Sequence, residues 1–246
     1  MPRDINDILL FREDISPFLV HLTRNFPDIQ AAQALRQIIQ QRQLCARTPE
    51  VSDARFGMNT MNMTPELKLR YFGAVCLTET PINEIHCLLE ITGRQVDLQP
   101  CGLVFLKNRL QQRGVSPVNY VNNETGNGDR IVRALTTLIA ADELAAAMLL
   151  PLISVFGRQL TPPGAAQRVQ SVDFRWEREW RFPNCFGALA FDAQDIFIGI
   201  CPHNEIGNFE AALPGIGFID PARNMKWYAS KLIASRQRLN LRHSVV

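Results

Sequence analysis

At 246 residues, 46% of them hydrophobic and 20% charged, the chain is too apolar to be disordered. It is long enough for one large domain with a buried core and a helical insertion. The net charge of +2 is too small to mark a nucleic-acid protein by total charge. The charge is unevenly spread, because Ala222 to Val246 holds six basic residues (Arg223, Lys226, Lys231, Arg236, Arg238, Arg242) and no acidic one. Cysteines fall at positions 45, 76, 87, 101, 185 and 201 without CxxC spacing, so a zinc ribbon or thioredoxin-type site is unsupported. The first residues lack the uninterrupted apolar run of a secretory signal. The greasiest stretch, Leu135 to Phe156, carries Asp142 and Glu143 in its middle, which makes membrane insertion costly. The expectation is a cytoplasmic protein with reduced thiols and no membrane partner.

Phe18 to Thr23 reads as a strand, with Phe18, Val20 and Leu22 on one face and His21 and Thr23 on the other. A helix is expected from Asn25-Phe26-Pro27, with an apolar stripe of Ile29, Ala32, Leu35, Ile38 and Ile39. Residues 47 to 68 show no period and read as a long loop, the kind that carries function or moves. Ala74 to Glu79 is a second strand, leading into Thr80-Pro81 as N-cap and first helical residue. Gly102 to Leu106 is an apolar run, followed by a brief helix that Gly114 stops; Pro117 to Val121 is a further strand. After Gly126-Asn127-Gly128 comes one long helix in an insertion of about residues 129–160, closed by a Thr161-Pro162-Pro163-Gly164 turn. Strands then follow at Asp173–Phe182, Ala188–Phe191 and Ile196–Cys201, the last two joined as a hairpin through Asp192–Asp195. A helix from about Pro221 to Arg238, within a basic segment 221–246, ends a single domain over residues 1–246.

The segment Asp173-Phe-Arg-Trp-Glu-Arg-Glu-Trp-Arg-Phe182 is the most informative. As a strand it would bury an aromatic face and present Glu177 and Glu179 on the other, about two rises of 3.3 Å apart and between arginines. Such charges could simply pair in water, each pair contributing about 0–1 kcal/mol. Two like charges on neighbouring positions repel, however, and Arg175 or Arg181 would be needed to hold both ionised. His21 and Thr23 add a second polar constellation near a helix start, suited to a sugar or an amide. Thr78 and Thr80 form a third, which also reads as a plain N-cap. Cys201-x-His203 offers two metal ligands without a matching pair, so no metal is expected. P-loop, GxGxxG, GxSxG and HExxH patterns are missing from the sequence. The basic C-terminal helix, with Trp227 and Tyr228 beside its cations, suits a nucleic-acid backbone and a stacking base. It suits a solvated helix end as well.

The order of these motifs resembles a family. Phe-Leu-Val-His-Leu-Thr, Leu-Arg-Gln-Ile-Ile, Cys-Leu-Thr-Glu-Thr-Pro, Cys-Gly-Leu-Val-Phe-Leu-Lys, Ser-Pro-Val-Asn-Tyr and Glu-Arg-Glu-Trp-Arg-Phe follow one another between Ile15 and Cys201. This layout is similar to the AbiGi group of bacterial abortive-infection proteins and to ADP-ribosyltransferases of the DarT and CmdT kind. The resemblance implies an α+β fold: a split β-sheet core like that of ADP-ribosyltransferases, with a helical insertion and a C-terminal helix. It implies NAD as co-substrate and a nucleic-acid acceptor, RNA favoured over DNA, in an anti-phage toxin–antitoxin system. A cognate antitoxin or chaperone protein would be the partner. It further implies that His21 holds the ribose of NAD and Thr23 the nicotinamide side, with Thr78 nearby. Glu179 would be the late-strand catalytic carboxylate, with Glu177 as alternative or accessory. Arg55 and Arg70 are both eligible for the arginine that such enzymes keep after the first helix. The rival expectation is a non-catalytic antitoxin or sensor that binds a partner protein. A third is a nuclease using Glu177 and Glu179 with a divalent ion.

Overall fold

A computed structural model describes residues 15–46, 63–91, 97–158, 171–173 and 175–241. Arg55 and the turn at residues 161–164 lie outside them. In chain order the elements begin with β1 (Phe18–Arg24), α1 (Ala31–Gln41), β2 (Gln43–Leu44), α2 (Pro65–Phe72) and β3 (Ala74–Thr78). They continue with α3 (Ile85–Leu89), β4 (Leu98–Leu106), α4 (Lys107–Gln112), β5 (Ser116–Pro117) and β6 (Asn119–Asn122). Next are α5 (Asn127–Ala141), α6 (Glu143–Leu149), β7 (Ile153–Arg158), β8 (Ser171–Val172) and β9 (Glu179–Pro183). The chain closes with β10 (Leu189–Ala190), β11 (Ile196–Ile200), α7 (Ile206–Ala212), β12 (Phe218–Ile219) and α8 (Ala229–Arg238). Helices and mostly antiparallel strands occur in both parts of the molecule, an α+β content.

The chain divides into two compact units. Unit 1 comprises residues 1–43, 77–113 and 190–246. Its strands run in the order β12, β11, β4, β1 and then the end of β3. The β11–β12 pair is parallel, joined through α7, and the β1–β4, β4–β11 and β1–β3 pairs are antiparallel. Cys101 to Leu106 and Ile196 to Ile200 are buried at every position, which explains why those runs show no polar alternation. Leu19 is fully buried beside His21 and Thr23 on the face opposite Phe18, Val20 and Leu22, so both faces of β1 are covered. Helix α1 starts at Ala31 rather than at Pro27, because Asn25 Oδ1 takes the Ala31 N–H at 2.9 Å.

The stretch Asp192–Asp195 is not a hairpin connection. β10 is two residues long and takes β2 as partner, while the Phe191 N–H donates to the Arg42 carbonyl at 3.0 Å. The turn is instead held by the buried Asp195 carboxylate, which accepts from the Asp192 N–H at 2.9 Å and from Arg113 at 2.6 Å. Thr80 does not cap a helix either. Its N–H donates to Thr78 Oγ1 at 3.2 Å, and a 3-10 turn, Ile82–Glu84, precedes α3. The same Thr-Pro signal works at Thr64-Pro65, where the Thr64 hydroxyl accepts from the Leu67 N–H and starts α2 inside the expected loop.

Unit 2 comprises residues 44–76 and 114–189. Tyr71, Phe72, Ala146, Ala147 and Leu150 form its buried cluster, with Leu135, Leu138 and Ile139 of α5 against it. The expected single long helix is two, because Asp142 leaves helical geometry (φ −151°) and caps α6 by accepting from the Ala145 N–H. The expected strand Pro117–Val121 is also divided: β5 pairs with β9, β6 runs parallel to β7, and the Val118 N–H between them donates to the Glu179 carbonyl at 2.9 Å.

Gly102 is required where β4 meets β1. A methyl there would stand 2.1 Å from the His21 carbonyl oxygen and 3.1 Å from the Leu22 side chain, a backbone approach that only glycine permits. Gly102→Ala is expected to lower unfolding free energy by about 1–3 kcal/mol, the range for overpacking, as read by urea denaturation.

Candidate functional site

The segment 173–183 is not one strand. Asp173 accepts from the Arg175 N–H at 3.0 Å and from its guanidinium at 2.7 Å, starting a 3-10 turn at Arg175–Glu177. That contact holds the Asp173 carboxyl down at about 2. The Arg178 N–H returns to the Arg175 carbonyl at 3.1 Å, and Arg178 adopts a left-handed backbone (φ 45°). Alternation therefore starts afresh at Glu179, and Glu177 does not share a strand face with it. Trp180 and Phe182 are buried, as the aromatic alternation implied, whereas Trp176 is 41% exposed in the turn.

The opposite face of β9 carries the charged groups. Glu179 and Arg181, two residues apart, form an ion pair at 2.7 Å with side chains only 13% and 10% exposed. Arg181 Nη1 also donates to the Pro151 carbonyl at 2.6 Å and the Ile153 carbonyl at 3.3 Å, while its Nε is buried without a partner. The Glu179 N–H donates to the Tyr120 hydroxyl at 2.9 Å. Burial lowers the affinity of the Arg181 guanidinium for its proton, but the Glu179 carboxylate together with Cys76 and Tyr120 outweighs this, so it stays above its ordinary value. Burial pushes the Tyr120 phenol up to about 12; the carboxylates of Glu179 and Glu177 add to that, against the Glu179 N–H and Arg181. The Cys76 thiol also rises, through desolvation first and then the Glu179 carboxylate, which it touches by a hydrogen bond. Solvent reaches the residue, but desolvation of the sulfur and the Glu179 carboxylate together outweigh the opposing pull of Arg181: the thiol is a neutral donor, not a thiolate nucleophile.

The arrangement is thus a fixed negative charge with three oriented neighbours, Arg181, Tyr120 and Cys76. Arg175, the other eligible cation, is engaged by Asp173 and lies 4.2 Å over the Phe156 ring. Arg70 is half exposed and pairs with Glu143 of α6 at 3.2 Å. In unit 1, His21 is half-buried on β1 opposite Leu103 of β4. Thr23 is buried, with its hydroxyl within reach of the Ala31 and Cys101 carbonyls at 3.1 and 2.9 Å. Thr78 pairs with Val20 in the register of β1 and β3, so it lies on the sheet face opposite His21 and Thr23. Its hydroxyl bonds Thr80 Oγ1 at 2.8 Å. His21 and Thr23 therefore share a face in unit 1, and Thr78 stands apart from both.

Cys201 is buried, and its thiol is pushed up to about 12 by burial and by Cys101, whose own value rises to about 11. His203 is exposed. Among the described residues no group of three or more His, Cys, Asp or Glu could hold a metal ion. None of their helices is long and apolar enough to cross a membrane. Two cations of the basic segment turn inward: Lys231 to Glu210 and the Phe218 carbonyl, Arg238 to the carbonyls of Ala193, Ile196 and Phe197. Comparison with protein-family models, curated proteins and solved structures gives no match.

Removing the guanidinium would strand a carboxylate that is largely out of water. Arg181→Met is expected to destabilise the protein by about 3–5 kcal/mol in chemical denaturation, with part recovered in Arg181→Met/Glu179→Gln. The raised Tyr120 phenol contributes stability that is complete below pH 10 and lost as pH climbs through about 12. Tyr120→Phe should flatten that alkaline decline and remove the corresponding step from an ultraviolet tyrosine titration.

Proposed function

We propose that the chain is an NAD-dependent mono-ADP-ribosyltransferase of a bacterial anti-phage toxin–antitoxin system, with Glu179 as its catalytic carboxylate. NAD and a nucleic-acid acceptor, RNA in preference to DNA, give the ADP-ribosylated acceptor, nicotinamide and a proton. The observation that supports this best is the Glu179–Arg181 pair at the start of β9. Cleavage of the nicotinamide–ribose bond develops positive charge on the sugar, as in glycoside cleavage. A carboxylate already fixed in position stabilises that charge without reorganising. Arg181 holds Glu179 Oε2, and Tyr120 fixes the backbone at the same residue, so the direction of the carboxylate is set before any ligand arrives. Nicotinamide leaves as a neutral base, so no strong general acid is needed. Glu177 lies close enough to influence Tyr120 and Cys76 and serves as the accessory carboxylate.

A second reading, a non-catalytic antitoxin or sensor, is favoured by one observation. Leu144 and Met148, one turn apart on α6, are 59% and 37% exposed, and Leu149 is 43% exposed. Apolar side chains left in water on a helix suit a partner protein. Under the first reading the same helix receives the cognate antitoxin or chaperone.

Incubation with NAD labelled in its adenine half, followed by separation of RNA, DNA and protein, tests the enzymatic reading. Wild-type chain is expected to label RNA, and Glu179→Gln to label it at least about 100-fold more slowly. Undiminished labelling by a folded Glu179→Gln protein would remove the residue from the mechanism. No nicotinamide release, with normal growth of cells expressing the chain, would leave the partner-binding reading in its place.

A further inference from the structure

Trp227 is 69% exposed, more than any other large apolar side chain among the described residues. Its exposure is built in. It sits in a 3-10 turn, Met225–Tyr228, started by Asn224, whose side chain accepts from the Lys226 N–H at 3.0 Å. The Trp227 N–H donates to the Asn224 carbonyl at 3.0 Å, and the next residue, Tyr228, is buried. The turn is thus anchored on one side while the indole is held outward on the other.

The surroundings of the indole are cationic. Arg223 and Lys226 are exposed, and neither side chain has an ion-pair or hydrogen-bond partner among the described residues, in contrast to Lys231 and Arg238. No acidic residue occurs between Pro221 and Leu241. The preceding acid, Asp220, is occupied by the N–H groups of His203 and Ala222. The exposed sequence neighbours Ala222, Asn224, Ala229 and Ser230 are small or polar, and the next exposed large apolar side chain along the chain is Ile233, a sparse apolar surface compared with what a docked protein needs. An exposed aromatic face within four residues of two unpaired, exposed cations matches a base and its neighbouring phosphates.

We propose that the turn from Arg223 to Trp227 is a single-stranded nucleic-acid contact. One base stacks on the Trp227 indole, and backbone phosphates pair with Arg223 and Lys226. This deepens the transferase reading by naming where its acceptor is held, and it rests on that reading only for the acceptor's later fate. Binding itself requires no NAD.

The test is fluorescence anisotropy of the full chain with a fluorescein-labelled oligouridine of about ten nucleotides, without NAD. Binding should weaken with salt at a log–log slope of about −1.4, two phosphates at about −0.7 each, and Lys226→Gln should lower that slope by about 0.7. Trp227→Leu, apolar but unable to stack, should bind about tenfold more weakly or worse, while Trp227→Phe keeps most of the affinity. The exposed position leaves the fold intact, as circular dichroism of each variant would record. Equal affinity of Trp227→Leu and wild type overturns the proposal. So does failure of the wild type to bind, or Trp227-dependent capture by phosphatidylserine vesicles without oligonucleotide binding. Oligonucleotide binding without ADP-ribose transfer sinks the transferase reading alone; transfer without Trp227-dependent binding sinks this one alone.

Discussion

A carboxylate and a guanidinium, two residues apart on β9 and nearly withdrawn from water, set the organisation of unit 2. Neither group could be left there alone. Desolvation penalises each, and only their mutual contact, with the further acceptors that Arg181 finds, makes the site tolerable. Those acceptors are the carbonyls of Pro151 and Ile153, which the turn after α6 delivers. The helices therefore do more than fill space: by positioning that turn they orient Arg181, and through it Glu179. Replacing a buried pair by apolar side chains is often neutral or stabilising, so stability alone gives little reason to keep this one.

Unit 1 handles its buried charges differently. Glu79 and Lys107 meet at 2.7 Å with side chains 10% exposed each. Asp195 fastens the turn before β11 to Arg113 through Oδ2, while its Oδ1 is buried without a hydrogen bond, 4.0 Å from Arg109. These groups are matched to protein partners and fix backbone geometry. Asp195 shows how such fastening looks in a sequence: an acid in a turn with no local cation, paired with an arginine 82 positions away.

Much of the architecture is legible where side-chain alternation is intact or where backbone chemistry is local. The strand at Phe18–Arg24, the helix stopped at Gly114 and the break at Gly126 follow from alternation and glycine placement. Where the structure departs from these patterns, the causes are physical. Asp173 competes for the Arg175 N–H, which converts half of an expected strand into a turn, and strict alternation cannot register that competition. Asp142 interrupts a continuous apolar stripe by capping a new helix within it. The sites divide in the same way. Glu179 stood out as a charge on an aromatic strand, and Arg181 as its neighbour. Tyr120 and Cys76, 59 and 103 positions away, become neighbours of Glu179 only through tertiary pairing, and neither carries a mark of its own. Alternation alone puts His21 and Thr23 on one face of a strand, but the pairing of Val20 with Thr78 that separates Thr78 from them is set by a register no local pattern encodes.

Unit 1 is assembled from three separate stretches of chain, and β11, which pairs with β4 on one side and β12 on the other, belongs to the last of them. During ribosomal synthesis β4 emerges some ninety residues before the strand that completes it. Until then one edge of β4 offers unpaired backbone groups beside a run of Leu, Val and Phe side chains, a ready template for illicit pairing. The clamp of Arg238 on the carbonyls of Ala193, Ile196 and Phe197 comes later still. Vectorial translation therefore leaves that edge open until β11 has been made.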